Sequence, residues 1–388
     1  MPETKKALPI LFIVMFLVMV GFGIIIPVLP FYAENIGASP TQLGLLMAVY
    51  SLMQLLFAPM WGRVSDRIGR KPVIMIGIFG LALSFFLMGI SSSLWMLFAA
   101  RIIGGILSAA NMPTVMAYAA DITTPEERGK GMGVIGAATG LGFIFGPAIG
   151  GVFSKESLSM PFYIAGASSL FTFFLVLFVL KESLAPENRH GTHSEREPLR
   201  RAMRGPVSIL LVLQLFISLS LSGLEATFAY YGAKKAGLES VNLGYIFMIM
   251  GFASAIVQGG LVGKLTKKFS EGFVIQLGIA ISAIGFGLIL LTNNFATAAI
   301  FLTIFGIGNG MIRPGVSALL TKTSKSGHGS ATGLLSSFDS LGRIAGPPLG
   351  GWLFSLAIGL PYISGILLSV IAFMLYRFYT SQARKIAH

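Results

Sequence analysis

The chain has 388 residues, of which 54% are apolar and only 11% charged. A soluble protein carries about 25% charge, so this composition excludes a soluble two- or three-domain enzyme, the default for the length. The absence of Cys removes disulfide frameworks, thiolate zinc sites and iron–sulfur clusters. A formal net charge of +13 beside a mean hydropathy of +0.81 fits the loops of a membrane protein better than a nucleic-acid binder.

A membrane-spanning helix needs about 20 mostly apolar residues. In chain order the sequence offers twelve such runs. They lie near 8–31, 41–61, 73–91, 94–118, 132–153, 160–180, 206–231, 242–263, 273–292, 296–319, 331–356 and 359–379. The first is too long for a signal-peptide core and has no small-residue cleavage site, so it reads as a retained helix. The bases test the topology. With the N-terminus inside, 22 of the 28 Lys and Arg fall in cytoplasmic segments. Only Lys155, Lys234 and Lys235 fall outside, and Arg101, Arg313 and Arg343 lie within spans. That asymmetry puts both termini in the cytoplasm. No contiguous basic face for nucleic acid appears.

The expected architecture is an all-α membrane protein of twelve transmembrane helices in two six-helix bundles, 1–180 and 206–388. A polar loop, 181–205, joins them. It reads as a flexible linker, with a membrane-surface helix from Glu195 to Arg204 as the alternative. The halves repeat at an offset of about 200: GPAIGG at 146–151 returns as GPPLGG at 346–351, and Gly129 and Gly133 return as Gly329 and Gly333. Two like-oriented six-helix units are the pattern of a duplicated transporter.

Several polar groups interrupt the spans. Tyr50 and Gln54 stand one turn apart on span two and offer polar lining. The loop that follows reads Gly62-Arg63-Val64-Ser65-Asp66-Arg67-Ile68-Gly69-Arg70-Lys71, in which Gly62 and Gly69 suit a sharp turn. Asp66 sits there among bases, either solvated or paired, and Asp121 at the end of span four is a partner for Arg67 or Arg70. On span four Arg101 lines up with Gly104, Ser108 and Asn111. Span five carries Gly136, Gly140, Phe143, Gly146, Pro147, Gly150 and Gly151 within GAATGLGFIFGPAIGG, a run of small residues suited to close helix packing.

An ionised group at the bilayer centre costs about 2.5–3.5 kcal/mol even on mild scales, so in-span charges must face a cavity or a partner. Glu225 shares a helical face with Gln214, Ser218 and Ser222, and Phe228 follows one turn later. A carboxyl partly withdrawn from water can load and release a proton near neutral pH, and it attracts a cationic substrate. Competition of proton and substrate for Glu225 would give antiport directly. A structural hydrogen bond, or a pairing with Arg on another helix, is the other reading. On span ten Asn309, Arg313 and Ser317 share a face, and Arg313 offers an acidic partner such as Glu225 its charge. Asp339 precedes Arg343 by four residues, the favourable order for an intrahelical pair. Asp339 thus either pairs or titrates.

The 62–71 loop resembles the loop-2/3 signature of the major facilitator superfamily, G-x-L-x-D-R-x-G-R-K, departing only at Val64. Arg101 with Gly104, Gly105 and Ser108 is similar to that family's R-x-x-x-G motif. Span five, and the Gly23-to-Pro30 run that ends span one, are similar to its twelve-helix drug/proton antiporters, the multidrug and tetracycline-type exporters. The resemblance covers nearly the whole chain. It implies a gate at Gly62, Asp66, Arg67, Gly69, Arg70 and Asp121, and a helix-packing antiporter motif at Gly136, Gly140, Gly146, Pro147, Gly150 and Gly151. It implies proton coupling through Glu225 and Arg101, with Arg101 tuning proton release; the in-span charges themselves add Asp339 and Arg313 as proton-coupling candidates. Substrate is expected at Glu225, Gln54, Asn111, Asn309, Arg313, Tyr50 and Phe228. The similar exporters carry an acid just before the Arg-Pro of span ten, where this chain has Asn309-Gly310, so an acidic pair from spans seven and ten is not available.

The function expected is secondary export of a moderately hydrophobic, cationic drug-like compound against proton entry. Its partners are the small-molecule substrate, protons and the lipid bilayer of the cell membrane, with a monomer as the unit. A sugar, amino-acid or metabolite exporter, or a lipid flippase, is the nearest alternative. A non-transporting membrane sensor is the more distant one. No G-x-x-x-x-G-K-[ST] loop, H-E-x-x-H or G-x-S-x-G site appears in a credible context, so no enzyme, no cofactor and no metal is expected.

Overall fold

The computed structural model describes residues 4–124, 126–185, 187, 189, 206–323 and 328–387. The alternative surface helix at 195–204 and most of the expected linker lie outside the described residues. Every regular element among them is helical. Inside a bilayer no water satisfies exposed peptide groups, and a helix pairs them within its own segment. In chain order the helices are α1 (Thr4–Ile24), α2 (Leu29–Asn35), α3 (Pro40–Ile68), α4 (Arg70–Gly89), α5 (Leu94–Ser108), α6 (Asn111–Ile122), α7 (Arg128–Phe153) and α8 (Met160–Val179). After the central loop come α9 (Pro206–Ala236), α10 (Ser240–Ile256), α11 (Val262–Lys268), α12 (Glu271–Ile289), α13 (Phe295–Thr323), α14 (His328–Leu356) and α15 (Leu360–Ala387).

Eleven spans among the described residues are long and apolar enough to cross a membrane. The predicted span at 331–356 is present as α14 but is not one of them, although 29 residues reach about 43 Å. Its Gly, Ser and Pro residues, with Asp339 and Arg343, dilute its hydropathy.

Three predicted spans are interrupted. Span one stops at Ile24, turns through Pro27 and restarts as α2, with Pro30 in its first turn. Span four breaks between α5 and α6, just before Pro113, whose ring nitrogen has no proton to donate. Span eight passes through a π-helical turn at Val257–Leu261, built around Gly259 and Gly260. One predicted turn is missing: α3 runs straight through Gly62 to Ile68. Only Gly69 reverses the chain there, at φ 109°.

The chain divides into two compact units. One comprises Met1–Ala38, Val49–His193 and Leu243–Met248; the other comprises Ser39–Ala48, Ser194–Asn242 and Ile249–His388. Each unit repeats one packing scheme. In the first, α1 packs on α7 and α8, and α4 packs on α5 and α8. In the second, α9 packs on α14 and α15, and α12 packs on α13 and α15. The second core gathers Leu210, Leu211, Ile275, Ile312, Val316 and Tyr376, all nearly inaccessible.

The closest packing in both units relies on glycine, since lipid tails give apolar helices little reason to associate. A methyl group at Gly142, Gly146 or Gly150 of α7 would strike Met19, Gly23 or Ile24 of α1. One at Gly342 or Gly346 of α14 would strike Ser218 or Ser222 of α9.

Candidate functional site

The first polar cluster surrounds the turn between α3 and α4. Arg70 is buried, and its Nη1 donates to Asp66 Oδ1 at 2.5 Å and to Ser65 Oγ at 2.7 Å. Its Nε donates to Asp121 Oδ2 at 3.1 Å, which ties α4 to α6. Of the two bases offered to Asp121, Arg70 therefore takes the role, and Arg67 points to the exposed surface. Glu182, just past α8, completes the cluster. Its Oε1 accepts from the Arg70 backbone N–H at 2.8 Å and its Oε2 from that of Lys71 at 3.1 Å. A carboxylate suits the unpaired N–H groups and positive dipole end of α4. Gly69 has no Cβ, and the Glu182 carboxylate fills the space that one would need. Ser183 Oγ donates to Asp121 Oδ2 at 3.0 Å, and Tyr118 Oη to the Lys181 carbonyl at 2.6 Å. Glu182 escaped the sequence reading. The available signal was an acid two residues beyond the end of span six.

The second cluster lies in the same unit. Arg101 is buried with its guanidinium 4.3 Å above the Tyr50 ring, where the face of the ring attracts a cation. The Tyr50 hydroxyl is 2.6 Å from Ser108 Oγ and accepts from Gln54 Nε2 at 2.9 Å. Phe22 packs on Tyr50, with ring centroids 5.1 Å apart. Four predicted residues, Tyr50, Gln54, Arg101 and Ser108, thus share one site. Asn111 is buried beyond the helix break, and neither polar atom of its amide has a partner among the described residues.

The third cluster joins α9 to α14 in the other unit. Asp339 Oδ1 accepts from Ser218 Oγ at 2.5 Å and from Gln214 Nε2 at 3.0 Å. Its Oδ2 accepts from Arg343 Nε at 3.2 Å and lies 4.0 Å from Arg313 Nη2. The polar face of α9 that the sequence lined up beneath Glu225 therefore serves Asp339. Arg313 approaches Asp339 rather than Glu225, with 59% of its side chain exposed. Ser222 Oγ donates to the Gly342 carbonyl at 3.1 Å, and Gly223 meets Gly346 and Gly350. The paired positions advance together along both helices, so α9 and α14 run in the same direction. Glu225 sits about 10 Å beyond Ser218 along α9, and Arg343, next to the Gly342 that packs on Ser218, is about level with Ser218 along α14. Glu225 itself makes no hydrogen bond or ion pair among the described residues. The charges acting on it are those of Arg343 and Asp339.

The remaining predicted positions are scattered. Asn309 lines a small cavity with Ser220, Ser282 and Phe305. Phe228 is fully buried rather than lining an opening. On α7, Gly146 and Gly150 pack on α1, while Pro147 and Gly151 face Gly244 of the 243–248 segment. Gly136 and Gly140 make no such approach among the described residues. Gly142, which the sequence reading passed over, supplies the third close approach to α1.

Two bundles of membrane-length helices with the same internal packing, each with charged side chains buried or part-buried among its helices, define a multi-pass membrane transporter. The sequence matches the Major Facilitator Superfamily over residues 11–326 and 260–387, and the chain belongs to that family. It is 33% identical over 367 residues to Multidrug resistance protein 2 of Bacillus subtilis (strain 168), covering 93% of this chain and 92% of that one. It is 30% identical over 362 residues to Quinolone resistance protein NorA of Staphylococcus aureus (strain MSSA476), covering 93% of each. In fold it resembles the inward-facing, unoccupied crystal structure of a bacterial homolog of the human lysosomal transporter Spinster. That likeness has a TM-score of 0.84 at 16% identity over 99% of this chain and 98% of that one. The expected class, a non-enzymatic major facilitator transporter related to multidrug efflux proteins, is therefore the class found.

Proposed function

We propose that this chain is a proton-coupled exporter of moderately hydrophobic, cationic drug-like compounds, working by alternating access. The relatives named for multidrug and quinolone resistance support export of drug-like molecules. One observation carries the proton assignment. Of the two acids on α9 and α14, Asp339 is held by Ser218, Gln214 and Arg343. Glu225, among the described residues, is held by none. A carboxylate already satisfied by donors has little to gain from a proton. A carboxylate without them is open to both proton and cation. Exchange of one proton for one monovalent cation moves no net charge, so the pH difference drives it, at about 1.4 kcal/mol per pH unit.

In this reading Tyr50, Gln54, Arg101, Asn111, Asn309 and Arg313 belong to the substrate path, and Asp66, Arg70 and Asp121 form a latch at one end. The unit of function is a monomer of two six-helix pseudo-repeats, 1–180 and 206–388, with both termini in the cytoplasm. The test uses inverted vesicles carrying the full chain under an imposed proton gradient. Wild type is expected to accumulate a cationic dye, and Glu225→Gln to accumulate no more than protein-free vesicles. Undiminished accumulation by Glu225→Gln would remove the assignment. Failure of wild type to move any cation or tetracycline offered would favour a metabolite substrate.

A further inference from the structure

The cluster of charges that joins α9 to α14 holds more than the proton carrier needs. Asp339 is well supplied with donors. A carboxylate offers about four acceptor sites, and here Ser218, Gln214, Arg343 and the more distant Arg313 all converge on them. Withdrawal of Arg343 would leave Asp339 with two hydrogen bonds and a cation. Arg343 is, by contrast, under-used. A guanidinium has five N–H donors, and among the described residues only Nε makes a hydrogen bond. The side chain is 38% exposed, so it has room to swing. Glu225 lies farther along the same helix pair than Arg343, and feels its charge. Charge balance points the same way. With Glu225 protonated, Arg343, Arg313 and Asp339 carry a net single positive charge. With Glu225 ionised, the cluster is neutral.

We propose that Arg343 is a counter-ion shared by Asp339 and Glu225, and that through it Asp339 sets how tightly Glu225 holds its proton. When Glu225 gives its proton to water, Arg343 turns toward the new carboxylate and loosens from Asp339, which Ser218, Gln214 and Arg313 retain. When Glu225 takes a proton from water, Arg343 returns to Asp339. Arg343 is thus a positioning residue, and the second acid of the site sits on α14 where Asn309 of α13 carries none. The other helices packed on α9 add little to this balance. α13 contributes Arg313, which acts through Asp339, and α15 contributes Tyr362, whose hydroxyl is occupied by Thr227 at 3.5 Å.

The proposal rests on Glu225 as the proton carrier, and its test does not require transport. Infrared difference spectra of the full chain in lipid vesicles would follow the C=O stretch of protonated carboxyl groups against pH. The band lost in Glu225→Gln gives the Glu225 midpoint. Arg343→Gln is expected to raise that midpoint by about one pH unit, a tenfold tighter hold on the proton. Asp339→Asn, by freeing Arg343 for Glu225, is expected to lower it. In the Arg343→Gln background the same Asp339→Asn change is expected to move it by under about 0.3 units, because its route is gone. Equal Asp339→Asn shifts in both backgrounds would mean plain charge repulsion and would overturn the proposal, as would an unmoved midpoint in Arg343→Gln. Should Asp339→Asn fail to fold, Arg343→Lys decides. It keeps the charge and is expected to hold the midpoint within about 0.3 units of wild type; a shift as large as that of Arg343→Gln overturns the proposal. A coupled cycle without gradient-driven dye uptake would retain the shared counter-ion and discard the export reading. A Glu225 band that does not titrate between about pH 5 and pH 9 would discard both.

Discussion

The two halves of the chain make the same turn at the same place and hold it differently. Gly69 and Ser270, about 200 residues apart, each sit at positive φ between two long helices, at 109° and 148°. In the first unit the helix that follows is capped by a distant carboxylate, Glu182, and locked by Arg70 to Asp66 and Asp121. In the second unit Ser270 caps its own helix, with Oγ accepting from the Phe273 N–H at 3.3 Å. There Lys267 stands opposite Asp66, and the acid is gone. The backbone path was kept through duplication, while the charged lock stayed on one side. Geometry that any small residue can support survives more easily than a network needing four partners at once.

This contrast can be broken by mutation, and the largest effect is expected from Arg70→Ala. It would strand Asp66 and Asp121 together beside Ser65. Breaking a buried pair costs about 3–5 kcal/mol, and the lower end applies because both carboxylates keep some contact with water. Thermal unfolding in detergent should show a clearly lowered midpoint, whereas Lys267→Ala in the other unit should leave it unmoved. Gly69→Ala should come next, at about 1–3 kcal/mol, from a side chain forced to positive φ and into the Glu182 carboxylate. A melting point equal to wild type would show that the turn relaxes freely. Glu182→Ala should cost about 1 kcal/mol, the usual worth of a helix cap, and should raise hydrogen exchange at the Arg70 and Lys71 amides. Ser270→Gly should be smallest, within about 0.5 kcal/mol, since relief of positive φ offsets the lost cap. A loss as large as that of Gly69→Ala would mean that the second turn is locked by something other than its own serine.

The same asymmetry decides what was legible beforehand. Spans announced themselves by composition, and the repeat by paired GPAIGG and GPPLGG segments. Asp66, Arg70 and Asp121 were readable because a lone acid among bases at a membrane face needs partners. The choice of Arg70 over Arg67 was not readable, since both lie within reach in sequence and only the helix phase at Gly69 aims one of them inward. The α9 stripe misled in a specific way. Gln214, Ser218 and Ser222 do share a face with Glu225, but a shared face does not say which neighbouring helix presses against it. The Gly342–Gly346 face of α14 does so, and it brings Asp339 to those donors.

By itself the sequence determined that this chain lies in a membrane, how many times its helices recur and which few charges must be accounted for inside. Those conclusions follow from the cost of taking peptide groups and ions out of water, and that cost depends on residue type alone. Tertiary structure decided which acid is satisfied and which is left bare. It set Asp339 among three hydrogen-bond donors and left Glu225 with none among the described residues, because hydrogen bonds between helices depend on register and approach distance. Those are set by glycines packed against backbone on another helix, and a single sequence does not record which helix that is.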